Sequence, residues 1–351
     1  MMTEERKAAV YFYCDGALEN GLGHVSRCLA IAESLREFGI GSVFLGNFCE
    51  QAEAMLSEER FGTIPLYVED EDSWVREIHS LTTNASVLSL VVDSYFISTA
   101  ALRALRESID PRLVLMDDTG RHDEYHCDGL VNFTFLSAKN EDRYGAIECF
   151  LGPDFFPARL WLREIRKSRE AAASQTRGRK AMVFGGGGDD GTLTLSLLSI
   201  LSQFSDEFEV TVILRRSAKR FEEVEAMFRE GQLSGTIKEG NSFFQEALRS
   251  ADFGFFAGGL IKYECAYAGI PAMIISANDV QLEDSRYFDE EGICLSLGEV
   301  GSLDVDESVN RCREFLSDHN RIEAARENGL KRFPQDSSRN IAMAVMGQVM
   351  N

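Results

Sequence analysis

Apolar positions along the chain fall into short, nearly continuous runs, separated by stretches in which they recur every three to four residues. In the first half, AAVYFYC (Ala8 to Cys14) reads as a strand and HVSRCLAIAESLREFG as an amphipathic helix ending at Gly39. GSVFLG is the next strand, VLSLVVD (Val87 to Asp93) a buried one, TAALRALRESI a helix, and RLVLMDD (Arg112 to Asp118) another buried strand. The segment REIRKSREAAASQTRGRK (Arg163 to Lys180) is polar, basic and free of large apolar residues after Ile165. It reads as a solvated helix and linker. The alternation then restarts: KAMVFGGGG is strand and glycine turn, TLTLSLLSILSQF a helix, FEVTVIL a strand and NSFFQEALRSAD a helix. ADFGFFAGG is again strand and turn, IKYECAYAG a helix and PAMIIS a strand. Strands this apolar, spaced by helices, predict parallel sheets covered on both faces. Two such units in succession predict an α/β protein of two doubly wound domains facing a central cleft. The domains are placed at 1–165 and 180–351, with the last helix a candidate to return to the first domain.

Composition narrows the function. A chain of 351 residues matches two domains at roughly 150 residues each. Its 36 Lys plus Arg against 57 Asp plus Glu leave a formal charge of -21, which argues against nucleic acid or an anionic membrane surface as partner. Phosphate ligands remain open, because backbone amides bind them without lysines. No apolar run reaches the ~18 residues of a membrane span. The opening MMTEERK carries no signal-peptide core, and the eight scattered cysteines show no CxxC spacing. Reduced thiols in a cytoplasmic protein are expected.

In open α/β sheets, ligands sit beyond the carboxyl ends of the strands, so the polar and glycine residues that follow strands are the candidates. In CDGALENGLGHVSR (Cys14 to Arg27), Gly21 and Gly23 allow close backbone approach and the next helix offers amides to an anion. His24 stands at that helix start, where a neutral imidazole can take a proton from water or a hydroxyl. A tight turn with a capping histidine fits the same residues. The spacing is not GxGxxG, so no nicotinamide cofactor is indicated. FGGGGDDGT (Phe184 to Thr192), with Asp189 and Asp190, can wrap a phosphate in amides or serve as a helix-capping turn. It lacks the GKS or GKT of an ATPase loop. In FFAGGLIKYECAYAGIP (Phe255 to Pro271), Gly258 and Gly259 open a helix on which Glu264 can accept from ribose hydroxyls, or stand as a surface charge. Asn278 and Gln281 follow a buried strand as ligand or turn residues. Asp93, Tyr95, Asp117 and Asp118 follow strands of the first half, to bind sugar hydroxyls or cap helices. His122, His126 and Cys127 lack the second ligand pair of a zinc site, so no metal is expected.

Together, CDGALENGLGHVSRCLAIAESL, VVDSYFI, MDDTGRHDEYHCDGLVNF, LGPDFFPARL, VFGGGGDD and AGGLIKYECAYAGIPAMIISANDVQ resemble the pseudaminic-acid pathway nucleotide-sugar hydrolases. These act on UDP-2,4-diacetamido-2,4,6-trideoxy-β-L-altropyranose, and the chain also resembles their spore-coat polysaccharide relatives. The likeness runs from about residue 9 to 345, with GxGHxxR its most specific piece. The glycine loops are shared with MurG-like glycosyltransferases. The resemblance implies two Rossmann-like domains of the glycosyltransferase-B type, no cofactor, and metal-independent, inverting release of UDP from a UDP-linked acetamido-deoxy sugar. By matching position, His24 would activate water, with Asp15 and Arg27 in its loop. Gly185, Gly186, Gly187, Asp189, Gly258, Gly259 and Glu264 would hold the nucleotide, Asn278 and Gln281 would lie near sugar or phosphate, and Asp93 and Tyr95 on the sugar side. Neighbouring enzymes of a surface-glycan pathway are the implied partners. The chain departs from the pattern in reading GGGGDD for GGSD, and Leu260-Ile261 for Ser-Thr. CMP in place of UDP, transfer to an acceptor instead of hydrolysis, and nucleotide-sugar binding without turnover stay open.

Overall fold

The computed structural model describes residues 8–348, apart from 18–20, 138–143, 145–146, 172–179 and 205–206. The chain divides into two compact units, one of residues 1–160 and 336–351, the other of residues 161–335.

The first unit is built on seven parallel strands. They are β1 (Ala9–Cys14), β2 (Gly41–Gly46), β3 (Gly62–Pro65), β4 (Val87–Asp93), β5 (Arg112–Met116), β6 (Gly129–Asn132) and β7 (Glu148–Leu151), in the order β3-β2-β1-β4-β5-β6-β7. The order reverses between β1 and β4, and there the register pairs Cys14 with Asp93. Leu90, Val91 and Val92 of β4 are fully buried, each side chain contributing about 1.5–3 kcal/mol of burial energy. The helix α1 (Gly23–Glu37) covers β1 because Val25, Cys28, Leu29, Ile31, Ala32 and Leu35 share a buried face. It stops before Gly39, whose φ of +74° few other residues tolerate. The helices α2 (Glu50–Glu58), α3 (Glu71–Thr83) and α4 (Thr99–Ser108) complete the layers.

The second unit begins with α5 (Leu160–Ala171), a helix solvated along Glu164, Lys167, Ser168 and Glu170 as its composition suggests, but with one buried face. Trp161, Leu162, Ile165 and Arg166 are buried, and Arg166 donates to the carbonyls of Leu330, Phe333 and Tyr267. The rest of the expected linker, residues 172–179, lies outside the described residues. Six parallel strands follow: β8 (Lys180–Phe184), β9 (Glu209–Ile213), β10 (Ser234–Lys238), β11 (Phe253–Ala257), β12 (Ala272–Ser276) and β13 (Leu295–Glu299). Their order, β10-β9-β8-β11-β12-β13, reverses between β8 and β11. Between them run α6 (Thr192–Leu201), α7 (Phe221–Arg229), α8 (Asn241–Ser250), α9 (Leu260–Ala268) and α10 (Asp279–Glu290), followed by α11 (Val305–Ser317) and α12 (His319–Arg332). The last helix, α13 (Ser337–Val345), belongs to the first unit. It packs on α1, accepts the Ser89 hydroxyl at the Val345 carbonyl (2.6 Å), and donates from Ser338 to Ala158 (2.7 Å). Among the described residues no helix is long and apolar enough to cross a membrane.

Candidate active site

The carboxyl ends of β1, β4 and β5 bring His24, Arg27, Asp93, Tyr95 and Asp118 together in the first unit. Gly21 has φ +74°, so the chain turns out of β1 through a left-handed residue. Residues 18–20 of that loop lie outside the described residues. Among the described residues no side chain caps α1. His24 is no cap either: its ring is buried at 3% exposure, and Nδ1 donates to Asp93 Oδ1 at 2.7 Å.

Asp93 is fully buried at the end of β4. Besides His24 it accepts two bonds from Arg27, Nε to Oδ2 and Nη2 to Oδ1, each 2.5 Å. The Cys28 thiol lies 3.5 Å from Oδ2. Burial alone would raise its pKa, but the Arg27 guanidinium and His24 outweigh that and hold the carboxyl well below the usual range. Asp93, expected on the sugar side, has no exposed surface and both oxygens engaged. It is the group beneath the histidine. An ionised carboxylate only accepts, so the Nδ1 contact fixes a proton on Nδ1 and leaves the Nε2 lone pair free.

Arg27 also donates Nη1 to Asp118 at 2.7 Å. Burial works against its charge, and Asp118 and Asp93 more than restore it, raising its pKa further. Asp118 accepts the Tyr95 hydroxyl at 2.8 Å, and the Tyr95 ring meets His24 edge-on at 4.4 Å between centroids. Burial, above all, pushes the Tyr95 pKa up, with Asp118 adding to it against the guanidinium of Arg27. Asp15 Oδ2 accepts the Tyr95 amide at 3.0 Å and stands 3.9 Å from His24 Nε2. One water can therefore bond both groups, and Nε2 can take its proton. Tyr95 and Phe96 beside this group are 42% and 66% exposed, an apolar surface next to a proton acceptor.

Asp117 does not join the group; it accepts the amides of Thr119, Gly120 and Arg121 and fixes their turn. His122 bonds Thr99 and Arg121, whereas His126 bonds Arg103. Among the described residues no group of three or more His, Cys, Asp and Glu is placed to hold a metal ion.

In the second unit the two glycine turns differ. Asp189 engages its own helix start: Oδ1 accepts the Leu193 amide and Oδ2 the Thr194 amide and hydroxyl, while Asp190 accepts the Thr192 amide. The start of α6 is thus closed by its own carboxylates. Gly185 is required, since a Cβ there would come within 2.2 Å of Asp189 Oδ2. Gly186 has φ +106°, and the Arg215 guanidinium holds the carbonyls of Gly187 (2.6 Å) and Gly188 (3.4 Å). The start of α9, by contrast, carries no side-chain cap: Gly259 offers none, and Leu260 and Ile261 bring no hydroxyl. Its amides and positive dipole end suit an anion. Glu264 is 7% exposed on this helix. Asn278 caps α10 through the Gln281 amide, and Gln281 accepts the Ala277 amide, so both oxygens act in the turn.

The sequence reading missed a cavity of about 370 Å³ beyond β9 and β10, lined by Leu214, Arg216, Phe221, Ile237, Lys238 and Phe243 among others. Arg216 lies over the Phe221 ring and Lys238 over that of Phe243. The signal was available: RRSAKR concentrates four cations in a chain of charge -21.

The chain aligns over nearly its whole length with solved structures. MurG of Acinetobacter baumannii superimposes with TM-score 0.65 at 12% identity, over 97% of this chain and 100% of that one. UDP-GlcNAc 2-epimerase from Neisseria meningitidis, bound to UDP-GlcNAc, gives 0.67 at 10% identity, over 97% and 100%. The chain has the GT-B fold. Sequence links are more distant. The spore coat polysaccharide biosynthesis protein SpsG of Bacillus subtilis is 23% identical over 307 residues, 86% of each chain. An uncharacterized protein of Methanocaldococcus jannaschii is 22% identical over 276 residues, 77% of this chain. The match spans 56% of that longer relative. No family model matches. By sequence this chain is a distant homologue of a protein named for spore coat polysaccharide biosynthesis.

Proposed function

We propose that this GT-B protein hydrolyses a nucleotide sugar, releasing UDP from a UDP-linked acetamido-deoxy sugar in the synthesis of a surface polysaccharide. The observation that carries the reading is the His24–Asp93 pair, which leaves a buried imidazole with a lone pair on Nε2. Nε2 takes a proton from water as its oxygen attacks the anomeric carbon, and the carbon–oxygen bond to UDP breaks on the opposite face. The electron pair leaves with the β-phosphate, and the sugar is released with inverted configuration. Asp15 shares the water, and Arg27 and Tyr95 keep the imidazole in place.

The nucleotide is assigned to the second unit. The uncapped start of α9 at Gly258 and Gly259 takes the diphosphate, with Gly185, Gly186 and Gly187 beside it, and Glu264 takes the ribose. The cavity with Arg216, Lys238 and Phe243 takes the base, an aromatic and cationic setting suited to a ring bearing carbonyls. Asn278 and Gln281 stay near the sugar or phosphate through their amide nitrogens. No metal or cofactor enters these steps. The eight free cysteines support a cytoplasmic setting.

Tyr95 and Phe96 favour a second reading, in which this exposed apolar surface receives an acceptor alcohol that replaces water. Purified protein incubated with a panel of UDP- and CMP-sugars, with and without EDTA, separates the two. Hydrolysis releases UDP without acceptor and regardless of EDTA. Transfer releases it only when an acceptor alcohol is present, and binding without turnover releases none.

A further inference from the structure

Lys262 breaks two rules at once. It stands in the first turn of α9, where the helix dipole disfavours a cation, and it is 3% exposed, where a lone charge is costly. Its Nζ turns back to the helix start and donates to the Gly258 carbonyl at 2.6 Å. Asp284 of α10 compensates the charge at 2.8 Å, and Ser285 lies at 3.4 Å. The same Asp284 oxygen accepts the Tyr263 hydroxyl at 2.6 Å, while the other carboxylate oxygen is buried without a partner. A well-packed apolar residue in place of a buried ion pair is often neutral or stabilising, so stability alone does not account for this lysine.

We infer that Lys262 is a positioning residue for the anion site at the start of α9, acting through the Gly258–Gly259 peptide. Holding the Gly258 oxygen fixes the plane of that peptide, so the Gly259 amide stays turned toward the diphosphate. The bond to a cation also polarises the peptide and makes the amide a stronger donor. The neighbouring packing agrees: a Cβ at Gly258 would lie 3.1 Å from Ser276 Oγ and 3.2 Å from Gln281, so the turn is already wedged from the β12 side.

The inference rests on the proposed nucleotide site, and the test separates the two. Titration calorimetry compares UDP and uridine on the wild type, K262M and K262Q, with thermal melts alongside. K262M is expected to weaken UDP about tenfold while uridine changes less than about twofold, at a melting temperature lowered by the Asp284 carboxylate left without its cation. K262Q keeps a donor without charge and is expected between the two. Equal UDP affinity in K262M and wild type overturns the inference and leaves the nucleotide site standing. So does an equal loss for UDP and uridine, which marks a purely structural lysine. A wild type that binds neither UDP nor uridine overturns the nucleotide site and this inference with it.

Discussion

Asp93→Asn tests the central pair directly. The substitution keeps the side chain's shape and removes its charge. With the amide oxygen kept on Arg27 Nε, the new NH₂ takes the Oδ1 place, where it faces His24 Nδ1 and costs Arg27 its Nη2 bond. An NH₂ donates, so Nδ1 must accept, and the ring proton moves to Nε2. The base is then lost although every atom is nearly in place. A positioned general base contributes about 10²–10⁴ in rate, and a tautomer reversal of this kind forfeits most of it. Breaking a buried, charge-assisted pair costs about 3–5 kcal/mol. The lower end applies, because Arg27 keeps Asp118 at 2.7 Å. For a unit of this size, about 3 kcal/mol corresponds to roughly 6–12 °C in melting temperature. The assay is UDP release from the active donor at saturating substrate, with circular-dichroism melts and UDP affinity measured in parallel. Expected are a rate down at least a hundredfold, a lower melting temperature and UDP binding within about twofold. A folded D93N enzyme with a rate within twofold of wild type refutes the reasoning.

Other outcomes follow from the same geometry. His24→Ala loses the rate by about 10²–10⁴ and keeps UDP binding; unchanged turnover, read by the same UDP assay, speaks for a different base. Because the folded Asp93 pKa is lowered, its stabilisation is complete above the ordinary carboxylate range and is lost as pH falls through the lowered value. Urea melts from pH 7 to 2 should therefore show wild type and D93N converging at the acid end, not separating. Gly185→Ala drives a Cβ into the Asp189 carboxylate and unseats the α6 cap, costing about 1–2 kcal/mol in a denaturant titration. Under native conditions iodoacetamide should label Cys49 and Cys149 first, since they are half-buried and the other six cysteines are buried. Burial pushes Cys127 and Cys312 up to about 12, so peptide mapping that finds either among the fast thiols contradicts the packing.

Much of the fold was legible because long apolar runs leave little choice. VLSLVVD is β4 to the residue, and the helix read as His24 to Gly39 is α1, which begins one residue earlier and ends two residues earlier. Elements with weak patterns were not read: β3 is an exposed edge of four residues ending in proline, and β6 and β7 also have only four. In α5 the error was to count every polar residue as solvated, when Arg166 turns inward to cap three carbonyls. At the site, GxGHxxR marked His24 and Arg27 because the glycines and the helix start are local in sequence. The bonds of Asp93 to His24 and Arg27 were not legible, since these partners lie 69 and 66 residues away and only strand pairing joins them. Asp189 showed the limit of glycine-rich loops as a signal: the carboxylate that follows satisfies the amides the glycines free. Lys262 left a trace, a cation directly after an apolar helix start, without a pattern to interpret it.

The return of α13 to the first unit has a consequence for synthesis. As the chain emerges from the ribosome, residues 1–160 are made first but lack the helix that covers α1 and accepts the Ser89 hydroxyl. Residues 161–335 must all be translated before that helix exists, a wait of roughly 10–35 s at ordinary elongation rates. The second unit thus has every one of its elements before the first does. The half that carries His24 matures last, so a stalled or shortened product would expose its unfinished flank to chaperones and proteases.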